Sequence, residues 1–346
     1  MGKHIGNANS FGFAHHFILP VLAIVAVGGI GVVTLRMSSA ANTSYISAKN
    51  YYNTLDPALS DDMNNLSEVQ SKWYANASYP SSLSNNRLGF YNPTGVKSYE
   101  VKNGALSLIA RRHCVANASA AETQANASTA KCAKGKTTKY SAGRLESKQL
   151  ISGTFLIDIR AKMPSTHAAG VRAALWMFNV PSDGSPTYCG ATAPQTNLSE
   201  FDILEWYTDG TSHRGINKPT SNTHVLCNYN ATTKAYSHHE SFDYTSMSSS
   251  WYKKWHIFSL RFNGISAQYF IDGKLVNEVT NTDANTKKLR AGWNTAPTLQ
   301  QWNQAMQGMS WRFILNQDVL TRAKNGSKFP TQTTLIDYVH VYKHAN

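Results

Sequence analysis

The chain of 346 residues is 42% hydrophobic and 15% charged, which excludes disorder throughout and allows a large core in one big all-β domain or two smaller ones. A formal net charge of +13 would attract anions, but no recognised nucleic-acid module accompanies it, so nucleic acid is not an expected partner. Much of the excess lies in residues 102–172, at Arg111, Arg112, Lys131, Lys134, Lys136, Lys139, Arg144 and Lys148, and reads as a solvated basic face.

Residues 1–40 contain "FILPVLAIVAVGGIGVVTL", an uncharged, mostly apolar run from Phe17 to Leu35. A helix of that length can cross a bilayer, and it exceeds the core of an ordinary signal peptide. The small residues "SSA" at 38–40 offer a cleavage site. The segment therefore predicts one hydrophobic N-terminal helix, a signal or a membrane anchor, and an extracellular or cell-surface protein. Residues 41–58 are polar without sustained periodicity and predict a tether.

All four cysteines follow that segment, and an even number in an exported domain favours disulfides. Cys114 and Cys132 flank the polar insert "VANASAAETQANASTAK", so one bridge is expected there, with Cys189–Cys227 as the complementary pair. No CxxC is present, which argues against structural zinc.

From residue 59 short alternating segments dominate. In "GTFLIDIRAKM" Phe155, Ile157, Ile159 and Ala161 fall on one face while Asp158, Arg160 and Lys162 fall on the other, and in "GALSLIARR" Leu106, Leu108 and Ala110 share a face; both patterns are those of half-buried strands. Asp272-Gly273 between "AQYFI" and "KLV" is a tight-hairpin signal. Only "TLQQWNQAMQ" reads as helical. Many short strands without alternating helices predict an all-β antiparallel sandwich or barrel.

One strand-like stretch, "EFDILEWY", places Glu200, Asp202 and Glu205 in an apolar and aromatic run. Strand alternation puts Glu200 and Asp202 on one face and Glu205 on the other, unless a β-bulge around Ile203 and Leu204 absorbs one residue and aligns all three. Three adjacent carboxylates repel, and the useful outcome is separation of their pKa values, so that one is ionised while another holds a proton. Glycoside hydrolysis needs that division. Calcium is the rival use of clustered acids, but a three-acid strand lacks the loop ligands and carbonyls such sites favour; no metal and no cofactor is expected in the chemistry, and structural calcium is not indicated.

"EFDILE" resembles the E-x-D-x-x-E signature of glycoside hydrolase family 16, in its laminarinase-like branch. Other stretches are similar to the family's in the same order: "LSDDMNNLSEVQSKW", "VKNGALSLIARR", "YSAGRLESKQLISGTFLIDIRAKMP", "AALWMFN", "SNTH", "WHIFSLRFNGISAQYFIDGKLV" and "LIDYVHVY". Together they cover roughly residues 59–346, which the resemblance marks as one hydrolase domain, an antiparallel β-sandwich of jelly-roll, concanavalin A-like type. The resemblance implies Glu200 as nucleophile, Glu205 as general acid and then base, and Asp202 as assisting carboxylate, with Trp176 near the cleaved sugar and His224 near the acid/base. Trp302 is a further candidate for stacking on a sugar, whereas Trp206 alternates away from Glu205 and belongs in the core. The implied activity is retaining endo-hydrolysis of a β-glucan, with β-1,3 bonds, by a monomer whose partners are the polysaccharide and, through residues 17–35 if they are retained, a membrane. A catalytically silent carbohydrate-binding or envelope protein and a wall-remodelling transglycosylase are the alternatives. Arg172 departs from the family's pattern, standing where Pro or Trp is more typical.

Overall fold

The structure, a computed structural model, describes residues 43–75, 88–165, 168–180, 187–188, 191–192, 199–208, 216–230, 235–280 and 297–345. The chain divides into two units at Met37 and Ser38, and the described residues belong to the second. The apolar run 17–35 lies outside them; among the described residues no helix is long and apolar enough to cross a membrane.

The described chain opens with α1 (Thr43–Tyr51), β1 (Thr54–Leu55), α2 (Leu66–Lys72), β2 (Trp73–Tyr74), β3 (Gly89–Tyr91), β4 (Tyr99–Lys102) and β5 (Ala105–Val115). It continues through β6 (Thr137–Ala142), β7 (Arg144–Ser147), β8 (Ile151–Ser152), β9 (Phe155–Lys162), β10 (Val171–Val180), the small pair β11 (Thr187–Tyr188) and β12 (Ala191–Thr192), and β13 (Glu200–Tyr207). The last part holds β14 (Thr220–Asn230), β15 (Ala235–Tyr244), β16 (His256–Phe262), β17 (Ser266–Ile271), β18 (Lys274–Thr280), α3 (Leu299–Met306), β19 (Ser310–Val319) and β20 (Gln332–Lys343).

Two sheets result. The larger runs β18-β17-β16-β9-β20-β5-β6-β3, with β1 on β20 and β4 on β5; the smaller runs β15-β14-β13-β10-β19-β7-β2, with β8 on β19. Their ladders are antiparallel apart from the parallel pair β3–β6, and the architecture is the expected sandwich. The alternation seen in the sequence builds the shared core: Leu106, Leu108, Phe155, Ile157 and Ile159 from the larger sheet pack with Ala173, Leu175, Met177, Phe201 and Phe313 from the smaller. Apolar burial on this scale is the main term favouring the fold. At the β17–β18 turn Asp272 and Gly273 both have positive φ, 50° and 74°, as a two-residue primed hairpin turn requires.

Residues 43–55, expected within a tether, are structured instead. Tyr45, Ala48, Lys49 and Tyr52 recur at i, i+3, i+4 and i+7, a helical stripe hidden by its mixed chemistry. Tyr45 donates to Asp158 Oδ2 at 2.9 Å, Lys49 pairs with the same carboxylate at 2.7 Å, and Ala48 and Tyr52 are buried. Asp158 therefore lies under α1, buried although strand alternation sends it away from the core, and accepts a further bond from Ser259 at 2.7 Å.

The bridge Cys114–Cys132 is formed and closes the polar insert; Cys189, and with it the second expected pair, lies outside the described residues. The basic stretch is not uniformly solvated. Arg112 is buried, donates to the Gly326 carbonyl at 2.7 Å and lies over the Phe329 ring, while Arg144 pairs with Glu146 at 2.8 Å.

Candidate active site

Strand β13 sits inside the smaller sheet between β14 and β10. Phe201, Leu204 and Trp206 enter the core, so the acids occupy the opposite face. Against β10, Leu204 faces Leu175 and Asp202 faces Trp176, leaving Ile203 as an extra residue. Against β14, Asp202 faces Asn222 and Glu205 faces Thr220, with the register slipping between them. This is the expected bulge, and it turns Glu205 onto the face that already carries Glu200 and Asp202.

Strand pairing sets the neighbours. Glu146, Ile314, Trp176, Asp202 and Asn222 are successive register partners across β7, β19, β10, β13 and β14, a row crossing the outer face of the sheet. Trp176 is half-buried in that row; its indole N–H donates to Asn316 Oδ1 at 2.6 Å and Arg144 lies 5.4 Å from its ring centroid. On β14, His224 is the register partner of Glu200. Its Nε2 lies 3.1 Å from Asp202 Oδ2, 3.3 Å from Glu200 Oε1 and 2.8 Å from Asn222 Nδ2. One imidazole thus bridges two of the three acids. The third, Glu205, meets Arg172 Nη1 at 2.5 Å.

The side chains of Asp202 and Glu205 are 7% exposed and that of Glu200 is 29% exposed. Burial first, then the charges of Asp202 and Glu205, push Glu200 up to about 8, against the pull of His224 and Arg172. Burial and Glu205 likewise raise Asp202, while the hydrogen bond and charge of His224 oppose them. The cluster therefore retains a proton at a pH where isolated carboxylates are ionised. A proton donor and an anion can then coexist within one row of acids.

Glu200, Asp202 and His224 bring one donor atom each within 4.8 Å of one another, a spacing that a cation could bridge. The histidine already lies against both carboxylates and Asn222, and among the described residues the set lacks the carbonyl and loop oxygens that calcium favours.

Of the six expected site residues, Glu200, Asp202, Glu205, Trp176 and His224 share this face, and Trp302 does not. Trp302 is fully buried on α3, in the core, with its N–H donating to the Gly264 carbonyl at 2.9 Å. Its helix packs its apolar stripe inward, so the indole cannot meet a sugar. Trp206 is in the core as expected, stacked on Tyr252 and bonded to the Ile216 carbonyl at 2.8 Å. Sequence reasoning passed over Asp318, Asn316 and Asn222. The signal for the first two was present: in "SWRFILNQDV" the polar run Asn316-Gln317-Asp318 follows an apolar stretch, and strand alternation puts Asn316 and Asp318 on one face.

The chain matches the family model for Glycosyl hydrolases family 16 over residues 112–312, more than half of its length. Among solved structures it is similar to the laminarinase from Rhodothermus marinus, at 19% identity and a TM-score of 0.56 over 85% of this chain and 98% of that one. It is also similar to the laminarinase catalytic domain from Thermotoga maritima, at 18% identity and a TM-score of 0.55 over 85% of this chain and 100% of that one. A third similar chain, at 18% identity and a TM-score of 0.54 over 82% of this chain and 89% of that one, is described with endo-acting O-glycanases of the human gut microbiota that initiate mucin breakdown. No curated protein matches the chain. The structural likenesses carry the sandwich fold, the family match spans most of its strands including the acid row, and the chain belongs to glycosyl hydrolases family 16.

Proposed function

We propose that the chain is an endo-acting β-glucan hydrolase, cutting β-1,3 bonds with retention of configuration, and that Glu200, Asp202 and Glu205 carry the reaction. The observation that carries this reading is the bulge at Ile203, which aligns three acids on one face. A sugar-binding protein has no use for three mutually repelling carboxylates. Two laminarinases among the similar structures support the linkage; the neighbour described with mucin-degrading O-glycanases sets the competing substrate.

In the proposed reaction a Glu200 oxygen bonds to the anomeric carbon as the glycosidic C–O bond breaks, and Glu205 passes its proton to the departing oxygen. Water then loses a proton to Glu205 while its oxygen bonds to the anomeric carbon and Glu200 leaves as carboxylate. Asp202, bonded to His224, shares the retained proton with Glu200 and lets the nucleophile ionise as substrate displaces water. Trp176 lies in register with Asp202 and forms the floor beneath the cleaved sugar. The Cys114–Cys132 bridge supports an oxidising compartment, and with the apolar run 17–35 it supports a secreted or cell-surface enzyme.

Laminarin, mixed-linkage glucan, agarose, chitin and mucin O-glycans tested side by side decide the substrate. Oligosaccharides released from laminarin first are the expected result. Cleavage of mucin glycans alone would replace the glucan reading, and no cleavage or transfer on any of them would favour a binding protein.

A further inference from the structure

Strand β10, "VRAALWMFNV", is apolar apart from Arg172 and Asn179, and Arg172 lies two residues before Ala174, the register partner of Glu205. Its guanidinium reaches Glu205 Oε1 with Nη1 at 2.5 Å. The other edge is held by Asp318 of β19, which accepts from Nε at 2.7 Å and also from Nη2. Asp318 is itself fixed: its side chain is fully buried, and its Oδ1 accepts from Asn316 Nδ2 at 3.0 Å and from the Tyr91 hydroxyl. Burial alone would ease the proton off Arg172, but Asp318 and then Glu205 hold it well above its ordinary value. A planar guanidinium pinned by one buried carboxylate presents its charge in a fixed direction to the other.

The other charged and titratable groups around Glu205 come from every packed element. On β13, Asp202 and Glu200 face it and Tyr207 lies 5.9 Å from Arg172; β14 supplies His224, β19 Asp318 and β3 Tyr91, and Arg322, just past β19, lies 5.6 Å from the Tyr207 ring. The two carboxylates favour a proton on Glu205, and Arg172, in direct ion pair, favours its removal.

We propose that Arg172 is a positioning residue that, clamped by Asp318, keeps Glu205 ionised in the resting enzyme, so that Glu205 must leave the guanidinium and take up the proton that Glu200 gives up on becoming the nucleophile before it can protonate a departing sugar. The proposal rests on the assignment of Glu205 as acid and base. Glu205 needs its proton in the first step, when the glycosidic bond breaks, and needs to be an anion in the second, when it takes a proton from the incoming water or sugar hydroxyl. The clamp opposes the first step and favours the second. In the resting site the retained proton then sits on the Glu200–Asp202 side, where burial and mutual repulsion favour it.

The test is a carbon-detected NMR titration of the side-chain carboxyls in the full chain, with Glu205 assigned by its loss in Glu205→Gln, for wild type, Arg172→Met, Arg172→Lys and Asp318→Asn. Arg172→Met is expected to raise the Glu205 midpoint by at least one pH unit, a tenfold gain in proton affinity, Arg172→Lys by less, and Asp318→Asn to lower it, because the guanidinium loses its competing partner. The pH limb of kcat/KM that tracks Glu205 moves the same way. Unchanged Glu205 midpoints in variants that keep the wild-type circular dichroism overturn the proposal; if Arg172→Met does not fold, Arg172→Lys and Asp318→Asn decide it. The titration needs no turnover, so shifted midpoints in a protein that cleaves no polysaccharide uphold the clamp and sink the glycosidase reading instead.

Discussion

Trp176 stands opposite Asp202 across the β10–β13 ladder, while its neighbour Leu175 stands opposite Leu204. The one-residue slip leaves Leu204 in the core and brings Glu205 to the outer face with the other acids. A strand without the bulge would bury Glu205 or expose Leu204. The aromatic ring and the middle acid of the row are thereby held side by side on two paired strands of the sheet.

Trp176→Ala removes the floor of that row without opening the core, since the even-numbered residues of β10 face outward. The expected result is a fall of at least about tenfold in kcat/KM on β-glucan, roughly 1.4 kcal/mol of transition-state binding. The melting temperature stays within a few degrees of wild type, as differential scanning calorimetry would show.

Glu200→Gln tests the raised proton affinity through stability. A carboxyl raised from an ordinary 4.5 to about 8 in the folded state binds more protons folded than unfolded between those values. Stability is then lost as pH climbs through that window. Glutamine cannot ionise, so the variant escapes the loss and is expected to exceed wild type by several kcal/mol at pH 8 to 9, with no advantage at pH 4. Urea unfolding across that range measures it.

His224→Ala removes a group that favours the ionised forms of Glu200 and Asp202. Both acids then hold their protons to higher pH. The limb of the kcat/KM profile that belongs to Glu200 is expected to move upward by about one unit, while Asn222→Ala, which removes only a neutral neighbour of the ring, leaves it nearly in place.

Trp302→Ala separates the sequence expectation from the structure. A buried indole replaced by methyl leaves a cavity and should cost about 3–5 kcal/mol of stability. Activity per folded molecule stays near wild type, because the ring is in the core rather than on the outer face. Urea unfolding and active-site-normalised kcat, measured together, distinguish this from a sugar-stacking role.

Much of this was legible in the sequence because strand alternation is a two-state code. Phe155, Ile157 and Ile159 announced their face, Asp272-Gly273 its turn, and the five-residue spacing of Glu200 and Glu205 required a bulge that pairing then located at Ile203. Residues that act through partners distant in the chain were not. Arg172 was visible only as a departure from a pattern; its meaning needed Glu205, 33 residues on, and Asp318, 146 residues on. Helix α1 was missed because its buried stripe mixes Tyr, Ala and Lys, which hydropathy alone cannot weigh. Trp302 was misplaced because an amphipathic helix does not declare which neighbour its apolar side will meet.

Glu200 and Glu205 are proposed to act as nucleophile and proton donor in a retaining cleavage of β-glucan. Proton NMR of the reducing end during the first minutes of laminarin hydrolysis, before mutarotation equilibrates the product, tests it most directly. The β-anomer appearing first, with the signal lost in Glu200→Ala and restored as a glycosyl azide of inverted configuration when azide is added, is the expected result. Initial release of the α-anomer, or β-product formed undiminished by Glu200→Ala, would contradict it.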